Sequence, residues 1–142
     1  MKMEDLQLQA DADTKLDKTD LDNYSVKLPS VQNKWHKIFR EEALILKKLN
    51  NERACIYKER WIYYSGKAEA EIYQREPLDI KILRNELDIF LNSDTKLIEI
   101  DSKIEIQKQK MIFVENTIKT LNTINWNIRN TIEYMKFTNG SS

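Results

Sequence analysis

Residues 97–135 repeat apolar side chains every seven residues, and no other feature limits the fold of this chain as tightly. With Leu97 as position a, the a residues are Leu97, Ile104, Met111, Ile118, Asn125 and Ile132; the d residues are Ile100, Gln107, Val114, Leu121, Ile128 and Met135. Ten of these twelve are apolar, and a seam kept up for that many heptads belongs to an α-helix packed along its length. Gln107 and Asn125 are the polar positions able to fix register or oligomer state. Residues 98–106 also alternate with period two, which leaves a short strand open there as the lesser alternative.

A second helix is written between residues 31 and 65. Pro29 disfavours helix in the residue before it and Ser30 is a good N-cap, so the start is expected there. At about 100° per residue, Val31, Trp35, Ile38, Ile45, Leu49, Ile56 and Tyr63 share one narrow stripe, while Lys37, Arg40, Lys47, Lys48 and Lys58 lie on the far side. Gly66 suits a C-cap. The polar stretch 67–77 reads as a linker or a weak helical turn, helical spacing resumes over 79–91 (Ile80, Leu83, Leu87, Phe90, Leu91), and Asn92-Ser93-Asp94-Thr95 is a cap-rich break. Two glycines and two prolines in 142 residues are too few for the turns of a sandwich or barrel. The expected class is all-α, built of long amphipathic helices.

The zero net charge conceals a division along the chain. Residues 1–26 hold seven acids and three bases, 27–67 ten bases and four acids, and 68–142 twelve acids and ten bases. The first segment is too poor in bulky apolar groups to offset its ordering entropy, which predicts a mobile acidic segment, with a short helix over 4–10 as the exception and a solvated or an interaction-tail role. No apolar run nears the roughly 20 residues of a membrane span, and no secretory signal is present, so a soluble, unexported protein is expected. Cys55 alone makes no internal disulfide, and His36 is too little for a soft metal site, pointing to a reducing cytoplasm and no metal.

Catalysis has no motif to rest on: there is no phosphate loop, nucleophile elbow or HExxH. Glu41-Glu42 sits among lysines on a charged helix, which fits surface pairing better than an acid and base. No catalytic residue and no cofactor is expected. The informative constellation is Lys58, Arg60, Trp61, Tyr63, Tyr64 and Lys67, with Tyr57 a turn earlier. Its cations can neutralise phosphates and its rings can stack on bases, the chemistry of sequence-tolerant single-strand binding. Tyr57, Trp61 and Tyr64 also fall at i, i+4, i+7, the spacing of a packed helical face, and on spacing alone core packing is favoured. Lys58 projects away from the stripe, whereas Arg60 lies close to it.

Met3-Glu4-Asp5-Leu6-Gln7, Lys34-Trp35, and above all Lys58-x-Arg60 followed by Tyr63-Tyr64-Ser65-Gly66-Lys67 resemble the UvsY family of phage recombination mediators. The similarity is nearly collinear through Lys67 and continues as a shared helical pattern. The resemblance implies that Lys58 and Arg60 bind single-stranded DNA, with Lys67 the basic residue closing the motif. It also implies a closed homo-oligomer, a hexamer or heptamer formed through the carboxy-terminal part, that contacts the phage single-strand-binding protein and the phage RecA-like recombinase and exchanges the first for the second in the cytoplasm of the infected host. Glu59 between the cations, Trp61-Ile62, and Ala68-Glu69-Ala70-Glu71 depart from the family pattern. Glu59 weakens the local positive field, which bears on affinity more than on role.

The expected organisation is therefore 1–26 an acidic segment, 27–67 a basic DNA-binding helix and motif, 68–78 a linker, and 79–142 a helical oligomerisation region. Lys58, Arg60, Lys67, Tyr63, Tyr64, Trp61, Lys37, Lys47 and Lys48 are the expected DNA contacts. Leu97, Ile100, Ile104, Met111, Val114, Ile118, Leu121, Ile128 and Ile132 are the expected oligomer seam. A non-catalytic coiled-coil adaptor and a duplex-DNA-binding regulator are the alternatives; an adaptor would bind neither form of DNA, and a duplex regulator would prefer paired strands.

Overall fold

The computed structural model describes residues 1–140. In chain order the helices are α1 (Met3–Thr14), α2 (Leu21–Tyr64), α3 (Ala70–Arg75), α4 (Leu87–Asn92) and α5 (Thr95–Thr138), with 3-10 turns at Lys18–Asp20 and Arg84–Glu86. No strand occurs among the described residues, so the fold is all-α and 98–106 is helix. No helix among them is long and apolar enough to cross a membrane. The chain divides into two compact units, one of residues 1–43 with 109–140 and one of residues 44–108. Each unit uses a part of α2 and a part of α5, so the division in space cuts across the segments drawn from sequence.

In the first unit, Leu6 and Ala10 of α1 are buried with Leu28, Trp35 and Ile38 of α2 and Val114, Leu121, Ile124 and Ile128 of α5. The segment expected to be mobile is thus helical over Met3–Thr14 and contributes to a core. Two features explain it. Leu6 and Ala10 stand at i, i+4 on one face, and Asp13 accepts a 2.9 Å bond from the Trp35 indole N–H as well as the Lys34 ammonium. The Tyr24 hydroxyl donates to the Asp13 carbonyl at 2.6 Å, and burial pushes its pKa up.

The expected start of α2 at Pro29-Ser30 also shifts. The helix begins at Leu21 and runs through Pro29, after the Asp17 carboxylate has accepted bonds from the backbone N–H and hydroxyl of Thr19. A proline inside a helix costs about 3 kcal/mol. Buried Leu28 and half-buried Leu21, Tyr24 and Val31 lie on the core side around it, and side chains of that size each return roughly 1.5–3 kcal/mol on full burial.

In the second unit, Leu91, Leu97, Ile100 and Ile104 are buried against Leu46, Leu49, Ile56 and Tyr64. Of the helix expected over 79–91, only the Arg84–Glu86 turn and α4 form; Ile80 and Leu83 are exposed. The break at 92–95 is where the sequence puts it, and its Asp94 carboxylate accepts the Leu97 N–H at 3.1 Å, which caps α5.

The heptad seam turns inward on the chain's own cores. Leu97, Ile100, Ile104, Gln107, Val114, Leu121 and Ile128 are buried, Met111 and Ile118 half-buried, and Asn125, Ile132 and Met135 exposed. Most residues expected to join subunits are therefore occupied within one subunit. A seven-residue repeat states that a helix needs a partner along one side, not which chain supplies it.

Candidate nucleic-acid interface

The carboxy-terminal end of α2 closes with two backbone bonds, Gly66 N–H to Tyr63 carbonyl and Lys67 N–H to Ile62 carbonyl, both 3.1 Å. This pairing is a Schellman motif, and Gly66 at φ 74° supplies the left-handed residue it requires. The turn fixes where Lys67 leaves the helix.

Inside that turn Arg60 is held on all sides. Its Nε donates to the Asp94 carboxylate at 2.6 Å, and its two terminal nitrogens donate to Glu76 at 3.1 and 2.9 Å. The guanidinium carbon lies 4.3 Å from the Tyr63 ring centre and 5.1 Å from that of Tyr64. The Tyr64 hydroxyl donates to Asp94 at 2.7 Å, and the Tyr63 hydroxyl to the Glu76 carbonyl at 3.0 Å. Tyr73 from α3 stacks on Tyr63 at 5.5 Å, gives its hydroxyl proton to the Tyr63 carbonyl and accepts the Ala68 N–H. A single arginine thus ties α2 to α3 and to the start of α5.

Burial works against charge on Arg60, but the bonds to Glu76, Tyr64 and Asp94 outweigh it and raise its pKa above the ordinary arginine value. Burial likewise opposes the Asp94 carboxylate, yet the Tyr64 hydroxyl, the Leu97 N–H and Arg60 hold its pKa below the usual 3.8. The Arg60 bond lowers Glu76 from its usual 4.5. Both acids are ionised and committed to Arg60.

The expected contacts therefore separate into two groups. Arg60 and Tyr63 are buried, at 6% and 4% exposure, and Tyr64 is half-buried with its hydroxyl engaged. None of the three offers a free face to a phosphate or a base, and the packing alternative for Tyr64 is the one realised. Lys58, Trp61, Lys67, Lys37, Lys47 and Lys48 are exposed. Lys37 makes only a loose pair with Glu41 at 4.0 Å, and a pair that exposed holds its lysine weakly. Lys58 and Trp61, at i and i+3, are neighbours on the outer surface of α2.

Trp61 lines a cleft of about 300 Å3 with Ser65, Lys67, Ile82, Arg84 and Leu87. The Lys67 ammonium sits 5.2 Å from the indole ring centre. Arg84 is absent from the sequence-based expectations, because its segment reads as one face of a helix over 79–91. Only the fold brings the Arg84–Glu86 turn to the end of α2, and no local signal marks it.

A family model described as "Recombination, repair and ssDNA binding protein UvsY" matches residues 9–141. Crystal structures of the bacteriophage T4 recombination mediator protein UvsY have the same fold. The lattice type II form superposes with a TM-score of 0.86 at 18% identity, covering 97% of this chain and 98% of that one. The type I form gives 0.83 at 17% identity over 94% and 98%, and type IV gives 0.80 at 18% over 97% and 99%. Comparison with curated protein sequences gives no match. With 133 of its 142 residues inside the family model and the fold shared end to end, this chain belongs to the UvsY family of recombination, repair and single-stranded-DNA-binding proteins.

Proposed function

We propose that the protein is a non-enzymatic recombination mediator that binds single-stranded DNA through the outer surface of α2 and its closing turn. Lys58, Trp61 and Lys67 make the central contacts, and Lys37, Lys47 and Lys48 add phosphate contacts along the same helix. Arg60, Tyr63 and Tyr64 position the turn without touching the strand. The carrying observation is the separation within one motif: Arg60 is engaged by the buried Asp94 and the half-exposed Glu76, leaving Lys58 and Lys67 with no ion pair among the described residues, beside an exposed indole.

Several copies act together in this reading, as a hexamer or heptamer in the cytoplasm of the infected host. The exposed Ile132 and Met135, one turn apart on the same side of α5, are the surface that joins one copy to the next. Binding by one copy is weak and becomes strong when repeated, since each later contact is effectively intramolecular. The assembled protein holds the strand while a single-strand-binding protein leaves and a RecA-like recombinase takes its place.

Anisotropy titration of a labelled oligothymidylate across a salt series tests the DNA contacts. Lys58→Ala with Lys67→Ala should weaken binding and flatten log K against log salt by roughly 0.7 for each phosphate no longer held, with duplex DNA a poorer competitor than single-stranded DNA. An unchanged slope in the double variant removes the assignment.

A further inference from the structure

We infer that the cleft between Trp61 and the Arg84–Glu86 turn is a subsite for one unpaired nucleotide, with the base on the Trp61 ring and the adjoining phosphate held by Arg84 and Lys67; this rests on the single-strand reading above. The volume of about 300 Å3 is bounded by two kinds of wall. Ile82, Leu87 and the indole make it apolar, as a stacking site must be, while Lys67 and Arg84 place cations on it. No acid lines it, whereas the neighbouring cleft is lined by Glu59 and Glu76 as well as Arg60, Arg75 and Lys96. Among the clefts near the motif, this one is suited to an anion that also carries a flat ring.

The Lys67 ammonium at 5.2 Å from the Trp61 ring centre acts as a placeholder in the free protein. A cation over an indole gains on the order of 0.5–1 kcal/mol at an exposed site. A charge-assisted bond to phosphate is stronger, so an arriving strand draws the ammonium off the ring and opens a face for the base. Arg84 is exposed and has no ion pair among the described residues, leaving its fork of donors available for a bidentate phosphate contact. A base stacked within a duplex presents no free face to Trp61. The cleft therefore contributes to choosing unpaired over paired strands, which a row of lysines does not do.

The 142-residue chain carrying Trp126→Phe leaves Trp61 and the fully buried Trp35 as its tryptophans. Oligothymidylate should quench its emission, and adding Trp61→Phe should abolish that response. Trp61→Ala should lower affinity roughly five- to 150-fold per stacked base, with most affinity kept by Trp61→Phe. Arg84→Ala should reduce the salt slope by roughly 0.7. An abasic oligomer of equal length, which keeps the phosphates and lacks the bases, should bind wild type no better than oligothymidylate binds Trp61→Ala.

Equal wild-type affinity for abasic and thymidylate strands, or equal quenching by polyglutamate of the same charge, overturns the base subsite. Unchanged affinity and slope in Arg84→Ala overturn its phosphate role while single-strand binding stands. If wild type binds no strand at low salt, the reading beneath the subsite fails and the subsite with it.

Discussion

Lys58 and Arg60 are two residues apart on α2, which turns their side chains about 200° from each other around the helix. They cannot both face one ligand unless the helix breaks. Lys58 points outward, and Arg60 enters the Asp94–Glu76 cage. Periodicity could show that Arg60 lies near the apolar stripe. It could not show that Asp94, 34 residues on, waits there, since both residues look like solvated charge in a linear sequence. Removing Arg60 leaves Asp94 buried and unpaired by a cation, so Arg60→Ala should cost about 3 kcal/mol, the low end for breaking a buried pair because the Glu76 side chain is 50% exposed. The depressed pKa values of Asp94 and Glu76 set the pH dependence. Between folded and unfolded values the unfolded chain binds more protons, so this stabilisation is full above the ordinary 4.5 and 3.8 and is lost as pH falls below them towards the folded values. Thermal melts from pH 7 to pH 3 should show wild type losing its advantage over Arg60→Ala on the acid side; a gap that stays constant contradicts the cage as its origin.

At the scale of elements, the long helices were legible and their edges were not. The 3.6-residue stripe of α2 holds at Trp35, Ile38 and Tyr63, which are buried, and fails at Ile45, which is 39% exposed, while Lys47, Lys48 and Lys58 on the far side are exposed. Pro29 taken locally favours a start near Val31, yet the helix begins ten residues earlier, because burial of Leu28 and partial burial of Tyr24 and Val31 reward a helix that runs through the proline. The same contacts order α1. Its composition is that of a disordered tail, but disorder is avoided by a few well-placed groups, here Leu6, Ala10 and the Asp13 acceptor for Trp35. Leu6 is fully buried, so Leu6→Ala should destabilise the first unit by about 2–5 kcal/mol. Amide exchange should then quicken across Met3–Thr14. Unchanged protection there would mean that α1 forms without its core contact.

For the whole molecule, the decisive question is what remains of α5 for another copy once the chain has used it. Ile128 is 4% exposed, whereas Ile132 and Met135 are 39% and 44% exposed. The repeat thus outlasts its internal cover by one heptad, and the sequence could not mark that point because its apolar pattern continues unchanged. A single subunit with five or six phosphate contacts has a salt slope of only roughly −3.5 to −4 at about −0.7 per contact on single strands. In the proposed assembly, copies joined through the uncovered end would act on one strand together, steepening the slope and raising affinity by orders of magnitude through effective concentration. Ile132→Glu with Met135→Glu should therefore reduce the light-scattering mass to one chain, keep helix content by circular dichroism, and return the slope to the single-subunit value. Ile128→Glu should instead lower the melting temperature, since it buries a charge within one chain. A double variant that keeps both its mass and its steep slope would place association on another surface and separate it from the exposed end of α5.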